Sequence, residues 1–122
     1  MKQNYYTDGY LIPLKSDRLD DYRAAAEACS AIFKEYGAIE FVETVLDEDA
    51  SAEMRPFAKA ADAAEDEVVI FSYVVYPSKE VRDAATASVM ADPRMEQICG
   101  EASSVFDFRR MSNGGFRTLV RA

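Results

Sequence analysis

The sequence contains no histidine and no tryptophan, and only two of its 122 residues are cysteine. Histidine is the commonest general base in enzymes and the commonest protein ligand of transition metals, so its absence excludes Ser-His-Asp triads and argues against zinc sites. Cys29 and Cys99 show no CxxC spacing, and we expect them to be small buried hydrophobic residues rather than a disulfide or metal ligands. We therefore predict no metal and no other cofactor.

Long apolar runs and excess positive charge are also missing. No stretch approaches the roughly 18 apolar residues of a membrane span, and the first residues are not followed by the apolar core of a signal peptide, so we expect a cytoplasmic protein. Acidic residues outnumber basic residues by 22 to 14, which gives a formal net charge of −8. A negative surface repels phosphate groups, so neither nucleic acid nor a membrane surface is an expected partner.

One shorter apolar run organises the rest of the chain. Residues 68–76 are all β-branched or aromatic except for a single serine, and none is charged. A strand with one wet face alternates between apolar and polar residues, whereas a strand that is covered on both faces has a continuous apolar run. The pattern therefore predicts a central strand that is buried on both faces.

The remaining patterns predict three more strands and three helices. The strands are expected at residues 5–14, 38–46 and 109–121, and the helices at 16–36, 77–91 and 93–100. Between the second and third strands, residues 47–67 are acidic and rich in alanine, and we expect a long loop there with a helical turn near residues 56–64. Asn113-Gly114-Gly115 indicates either a hairpin turn or a glycine bulge; we favour the bulge, because the arm before a turn would be very short.

This order predicts a single ferredoxin-like domain over residues 1–122, an α+β fold of the βαββαβ type. Its antiparallel sheet has strands 1 and 3 in the middle, and both main helices cover the same face. The other face of the apolar third strand would then be exposed to water. The same face of a second subunit would cover it best, so we predict a homodimer that forms a dimeric α/β barrel.

The space between the two sheets is the predicted ligand pocket. We expect Gly9 to lie on the face where a helix packs closely, so that its neighbour Asp8 faces the open side among aromatic residues. The residues expected to line the pocket are Tyr6, Asp8, Tyr10, Phe71, Tyr73 and Arg110.

Each ionisable candidate has a catalytic and a structural interpretation. Desolvation would raise the pKa of Asp8 and suit it to proton transfer, but we favour the structural interpretation, an ion pair with Arg109, Arg110 or another basic group at the dimer interface. Arg110 itself could bind a ligand carboxylate or close a salt bridge at the dimer interface. Glu40 and Glu43 lie on opposite faces of the second strand, and we expect both to be solvated or salt-bridged edge residues.

Several blocks of sequence resemble one bacterial family. They are residues 6–10 (YTDGY), 37–43 (GAIEFVE), 69–73 (VIFSY) and 89–94 (VMADPR), with Arg110-Met111 and Gly114-Gly115-Phe116. On these blocks the chain resembles the YbaA-like proteins, a domain of unknown function, from residue 6 to residue 120. The resemblance implies a dimeric α/β barrel of two ferredoxin-like subunits and implies no established activity. Barrels of this broader group include antibiotic-biosynthesis-type monooxygenases, haem-degrading enzymes and lactone isomerases.

Two functions from different classes are compatible with these observations. The first is a homodimer that binds a small metabolite or a partner protein between its two sheets. The alternative is a metal-independent small-molecule enzyme of the monooxygenase or isomerase kind, which rests on the analogy of fold.

Overall fold

A four-stranded antiparallel sheet forms the centre of the computed structural model, which describes residues 4–122. Its strands are β1 (Tyr6–Lys15), β2 (Glu40–Val45), β3 (Glu67–Tyr76) and β4 (Ser112–Arg117). The helices are α1 (Leu19–Glu35), α2 (Phe57–Ala60), α3 (Lys79–Ala91) and α4 (Pro93–Ala102). The strand order is β2-β3-β1-β4, which confirms the ferredoxin-like arrangement with the first and third strands in the middle.

Local sequence signals determine where three of the helices begin or end. The Ser78 hydroxyl accepts a hydrogen bond from the Val81 N–H at the start of α3, and the Asp92 carboxylate accepts one from the Arg94 N–H at the start of α4. Such caps satisfy N–H groups that have no partner within the helix. After α1, Gly37 adopts a φ of 121°, a conformation that favours glycine. The end predicted for the first helix near residue 36 and the start predicted for the last helix at residue 93 agree with these positions.

Two helix boundaries differ from the prediction. A 3-10 turn over Ser16–Arg18 precedes α1 in place of a side-chain cap. The last helix continues through Gly100 to Ala102 rather than ending at the glycine.

Helices α1, α3 and α4 all cover the same face of the sheet. Alternate residues of β1 and β3 point toward them, so that Ile12 and Ile70 pack against Tyr22 of α1, and Val74 packs against Ala85 of α3. A further cluster of Ile32, Val89 and Met95 joins the three helices to one another. The main core therefore lies between the helices and one face of the sheet, which we call the helix-covered face.

The opposite face, here called the open face, carries no helix from this set. Phe71 of β3 is 45% exposed there, although Val69 and Val75 on the same face are buried. The prediction that β3 is buried on both faces thus holds for the two valines but not for Phe71 within one chain.

The glycines of β4 form neither a turn nor a bulge, so the predicted bulge is wrong. Residues 113–115 pair one-to-one with residues 10–8 of β1, and no extra residue interrupts the register. Close approach explains Gly115 instead: a Cβ atom there would lie 2.7 Å from both Arg82 Nη2 and Tyr6 Cε2. The glycine is needed because two side chains occupy the space of its missing Cβ.

The acidic segment between β2 and β3 is folded against the open face. The Asp49 carboxylate accepts hydrogen bonds from the backbone N–H groups of Phe57, at 2.8 Å, and Ala58, at 3.4 Å. These donors lower the pKa of Asp49 and fix the start of α2, which confirms the predicted helical turn. The Phe57 ring lies 6.1 Å from the Phe71 ring in an edge-to-face contact.

Candidate functional site

The six residues predicted to line one pocket lie in three different places. The helix-covered face carries Tyr6, Asp8 and Tyr10, the open face carries Phe71 and Tyr73, and Arg110 lies in a 3-10 turn before β4. The direction predicted for Asp8 is wrong, because the ring of Phe116, not a helix, fills the space beside Gly9. A Cβ atom at Gly9 would lie 3.2 Å from that ring.

Asp8 forms an ion pair within the chain. Its side chain is 14% exposed, and its Oδ1 atom lies 3.7 Å from Nε of Arg82 in α3. Burial raises the pKa of Asp8, and the positive charge of Arg82 opposes part of this effect. The same guanidinium lies over the ring of Tyr6, 4.6 Å from its centroid. The structural interpretation of Asp8 is therefore the one observed, with Arg82 as the partner instead of Arg109 or Arg110.

Arg110 is held in a bidentate ion pair with Glu67. Its Nη1 and Nη2 atoms lie 2.7 Å and 3.0 Å from the two carboxylate oxygens, and Nη2 also donates to the Asp62 carbonyl oxygen at 2.7 Å. The Glu67 side chain is only 5% exposed. Hydrogen bonds from Arg110 lower the pKa of Glu67 to about 2. Arg110 therefore joins the start of β3 to the turn that precedes β4, and its guanidinium is held by Glu67.

A groove of about 670 Å³ runs along the open face. Phe57, Phe71, Tyr73 and Phe116 contribute aromatic rings to its walls, and among residues 4–122 no charged side chain lines it. The ring centroids of Phe71 and Tyr73 are 6.4 Å apart. This surface can bind an apolar ring by stacking and burial, but among its lining side chains only hydroxyl and amide groups can form polar contacts.

A second space, here called the inner cavity, lies between the sheet, α1 and α4. Its volume is about 180 Å³, and its walls are mostly apolar. Three of its polar side chains meet at one point: Glu43 of β2 is directly opposite Ser72 of β3 in the sheet register, and the Tyr22 hydroxyl donates a 2.7 Å hydrogen bond to Glu43 Oε1. The inner cavity thus combines an apolar volume with a carboxyl group and two hydroxyl groups.

The surroundings of Glu43 favour its protonated form. Burial raises the pKa of Glu43, while hydrogen bonds with the Tyr22 and Ser72 hydroxyls oppose this effect. Burial likewise raises the pKa of Tyr22 and of Tyr10, which also lines the inner cavity. A carboxyl group with a raised pKa is a stronger base when ionised, and such groups are typical of sites that transfer protons.

The inner cavity also contains the two cysteines, both of which are free thiols. Burial raises the pKa of Cys29 to about 11, so its thiol stays protonated and is a weak nucleophile at neutral pH. Within residues 4–122, no group of three cysteine or acidic side chains is placed to hold a metal ion.

Sequence reasoning placed Glu43 at a solvated edge and missed this cluster. One signal was available: Glu43 lies between Phe41 and Val45 on one face of β2, and Ser72 is the only polar residue within the apolar run of β3. Single polar residues at apolar positions of neighbouring strands can face each other. The third partner, Tyr22, lies among the apolar residues of α1 that face the core, so its position in the sequence predicts only packing.

Sequence comparison places the chain in a family. The family model described as "Protein of unknown function (DUF1428)" matches residues 5–108. The chain belongs to the DUF1428 family. A relative, "Uncharacterized protein YbaA" of Escherichia coli, is 42% identical over 115 residues, which cover 94% of this chain and 97% of the relative. The resemblance of this DUF1428 protein to the YbaA-like proteins is thereby confirmed.

Solved structures share the fold of this DUF1428 protein at low sequence identity. A nipsnap family protein of unknown function from Agrobacterium tumefaciens has a TM-score of 0.62 at 15% identity, with 100% of this chain and 95% of that chain covered. SnoaB, a cofactor-independent oxygenase from Streptomyces nogalater, has a TM-score of 0.54 at 13% identity, with 98% and 96% covered. These similarities confirm the ferredoxin-like fold and do not transfer an activity.

Within residues 4–122, no helix of this DUF1428 protein is both long enough and apolar enough to cross a bilayer.

Proposed function

We propose that this protein is a cytoplasmic homodimer that binds a small, mainly apolar molecule between the open faces of its two sheets. The observation that supports the proposal is the open-face groove. Phe57, Phe71 and Phe116 are between 45% and 62% exposed on this face of a single chain. Burying one such side chain stabilises an interface by roughly 1.5–3 kcal/mol, so a contiguous aromatic face favours association.

A second copy of the chain is the partner that suits this face best. Each chain carries a formal net charge of −8, so two copies repel each other over most of their surfaces. The groove lining contains no charged side chain, so two chains can approach there without placing like charges in contact. A twofold arrangement would pair each aromatic groove with its own equivalent.

The dimension and lining of the groove define the class of ligand. Its volume of about 670 Å³ is within the range of small-molecule sites, roughly 300–1,000 Å³. Aromatic walls favour a planar apolar molecule, and the hydroxyl groups of the lining can orient one or two polar atoms. A metabolite with an aromatic or conjugated ring fits this description.

Light scattering during gel filtration tests the dimer. The wild type is expected at twice the 13.6 kDa of one chain, and the Phe71→Lys variant at the mass of one chain, because the new charge would have to be buried in the interface. Met90→Lys is the control, since Met90 is 72% exposed on α3, away from the open face. A wild type with the mass of one chain would disprove the dimer.

Binding of the neutral dye N-phenyl-1-naphthylamine tests the ligand site. The dye is expected to gain fluorescence with the wild type and to lose most of this gain with Gly114→Leu, whose side chain would occupy the groove. Gly100→Leu is the matched control, because no atom lies within 4 Å of a Cβ atom at Gly100. Equal fluorescence with both variants would place the dye elsewhere and reject the groove as the site; a titration with candidate partner proteins would then test the other type of occupant.

The second candidate function is a metal-independent enzyme of the monooxygenase or isomerase kind. The observation that favours it is the partly buried Glu43–Tyr22 pair at the inner cavity. The open-face groove alone does not support catalysis, since no carboxyl group or cation lines it.

A further inference from the structure

A surface depression adjoins the inner cavity at the edge of the sheet. Its volume is about 360 Å³, and it lies between α1 and the edge strand β2. Tyr22, Ala26, Phe41 and Glu43 line both this depression and the inner cavity. The two spaces therefore share one wall, and the Glu43–Tyr22 pair lies at their boundary. The Glu43 carboxyl group thus lies between the surface of the protein and the apolar cavity.

The inner cavity fits a molecule of single-ring dimensions. Its volume is about 180 Å³, and an apolar cavity of about 150 Å³ is sufficient to bind benzene. The polar groups at its boundary are one acceptor, the Glu43 carboxylate, and the hydroxyl donors of Tyr22 and Ser72. A ligand that fits must therefore combine a small apolar body with a proton that a carboxylate can remove and an oxygen that can accept hydrogen bonds.

We propose that Glu43 is a general base that interconverts the keto and enol forms of a small 1,3-dicarbonyl compound in the inner cavity, with Tyr22 and Ser72 as hydrogen-bond donors to the enolate oxygen. The inference specifies the second candidate function and rests on it, but it does not require the dimer, since all three residues belong to one chain.

The reaction is balanced without an oxidant or a reductant. The Glu43 carboxylate removes a proton from the carbon between the two carbonyl groups; the C–H bond breaks, an O–H bond forms on Glu43, and the electron pair moves to a carbonyl oxygen. Once Glu43 is protonated, the Tyr22 hydroxyl turns from Glu43 to the enolate oxygen, which accepts hydrogen bonds from the Tyr22 and Ser72 hydroxyls. Glu43 then returns the proton to that oxygen, which gives the enol, and the reverse sequence gives the ketone. Apolar walls favour this transfer because the raised pKa of Glu43 makes its ionised form a better base.

The test substrate is 2,4-pentanedione, which has seven non-hydrogen atoms. Its enol-rich solution in an apolar solvent is diluted into buffer, and the loss of enol absorbance is followed. The wild type is expected to accelerate this loss, and Glu43→Gln is expected to reduce the catalysed rate by about 10²-fold or more, which is the typical contribution of a general base. Glu40→Gln is the matched control: it removes the same charge from an exposed position of the same strand, and it should retain the wild-type rate.

Two further measurements separate a chemical role of Glu43 from a structural one. The catalysed rate of the wild type should rise with pH as Glu43 ionises. In Glu43→Gln the remaining rate should no longer rise with pH. If Glu43 had only a structural role, the variant would still show the rise. Ala26→Leu retains the carboxyl group of Glu43 but places a larger side chain in the wall that the two spaces share, which reduces the free volume beside Glu43. It should therefore weaken the binding of 2,4-pentanedione, as measured by NMR saturation-transfer spectra. Circular dichroism checks that each variant is folded.

The results that would overturn the inference are distinct from those that would overturn the dimer. A wild type that does not accelerate the reaction, or a folded Glu43→Gln variant with the wild-type rate and pH profile, would reject Glu43 as the base. The mass of the wild type in solution is a separate measurement. A monomer that catalyses the reaction would therefore refute the dimer and support this site.

Discussion

Glu43 and Ser72 lie directly opposite each other across β2 and β3, and both point toward the helix-covered face. Together with the Tyr22 hydroxyl, they keep a carboxyl group at the boundary of an apolar cavity. Because this carboxyl group is partly removed from water, its ionisation is coupled to the stability of the fold.

Replacing Glu43 with glutamine is expected to change how stability depends on pH. Burial raises the pKa of Glu43 above its ordinary value of 4.5, so between these two pKa values the folded protein binds more protons than the unfolded chain. The free energy of unfolding of the wild type should therefore fall as pH rises through this window, and Glu43→Gln should lack this contribution. Urea unfolding at a series of pH values measures the difference.

The control for this experiment is Glu40→Gln, which removes an exposed carboxyl group from the same strand. The other groups around Glu43 with raised pKa values, Tyr10, Tyr22 and Cys29, remain neutral throughout the acidic range and do not contribute. Identical pH slopes for the wild type and Glu43→Gln would contradict the assigned burial of Glu43.

Tyr22→Phe should destabilise the protein by about 1–3 kcal/mol at neutral pH, because it removes the hydroxyl that donates a hydrogen bond to the partly buried Glu43 carboxylate. The loss should be smaller in acid, where Glu43 is protonated and can itself act as a donor. Thermal unfolding at both pH values provides the comparison. An equal loss at the two pH values would contradict this account, because the contribution of the Tyr22 hydroxyl would then not depend on the ionisation of Glu43.

The ion pair between Arg110 and Glu67 should stabilise the fold in a defined pH range. The pKa of Glu67 is lowered from 4.5 to about 2, so the contribution is fully present above about 4.5 and is lost as pH falls toward about 2. Arg110→Ala should therefore be destabilising at neutral pH and should approach the wild type at low pH. Arg109→Ala is the control, because the Arg109 side chain is 90% exposed, and its exposed ion pair should contribute little. Equal effects of the two variants would contradict the structural role of Arg110.

Gly115→Ala should destabilise the protein by roughly 1–3 kcal/mol through overpacking. Its Cβ atom would displace the Tyr6 ring or the Arg82 guanidinium, which lie 2.7 Å from that position. Gly114→Ala is the matched control in the same strand, since its Cβ atom would meet Phe116 only at 3.9 Å. Chemical unfolding of both variants tests the assignment, and a loss of the same magnitude at Gly114 would point to a general intolerance of side chains in β4.

Features that depend on neighbouring residues in the sequence were predictable. The cap at Ser78, the cap at Asp92 and the turn at Gly37 each depend on a few adjacent residues. The order of strands and helices followed from hydrophobic periodicity, and from it the strand order of the sheet.

Features that depend on distant residues were not predictable in the same way. The alternation of residues along β1 divides the strand into two faces but does not say which face the helices cover. We assigned the helices to the face of Gly9, but the space beside Gly9 is filled by the ring of Phe116, which is distant in sequence. Arg110 likewise meets Glu67, which is 43 residues away in sequence. The sequence left a catalytic or ligand-binding role and a structural ion pair open for both Arg110 and Asp8. The fold decides between them, because it places Glu67 beside Arg110 and Arg82 beside Asp8.

The attachment of the acidic segment has a consequence for variation among related chains. Asp49 and Phe57 both lie within this segment, and one aromatic contact joins Phe57 to the sheet at Phe71. The residues between these two anchors can change in number or composition without altering the core. One rim of the groove can thus diversify while the sheet and the helices behind it stay the same.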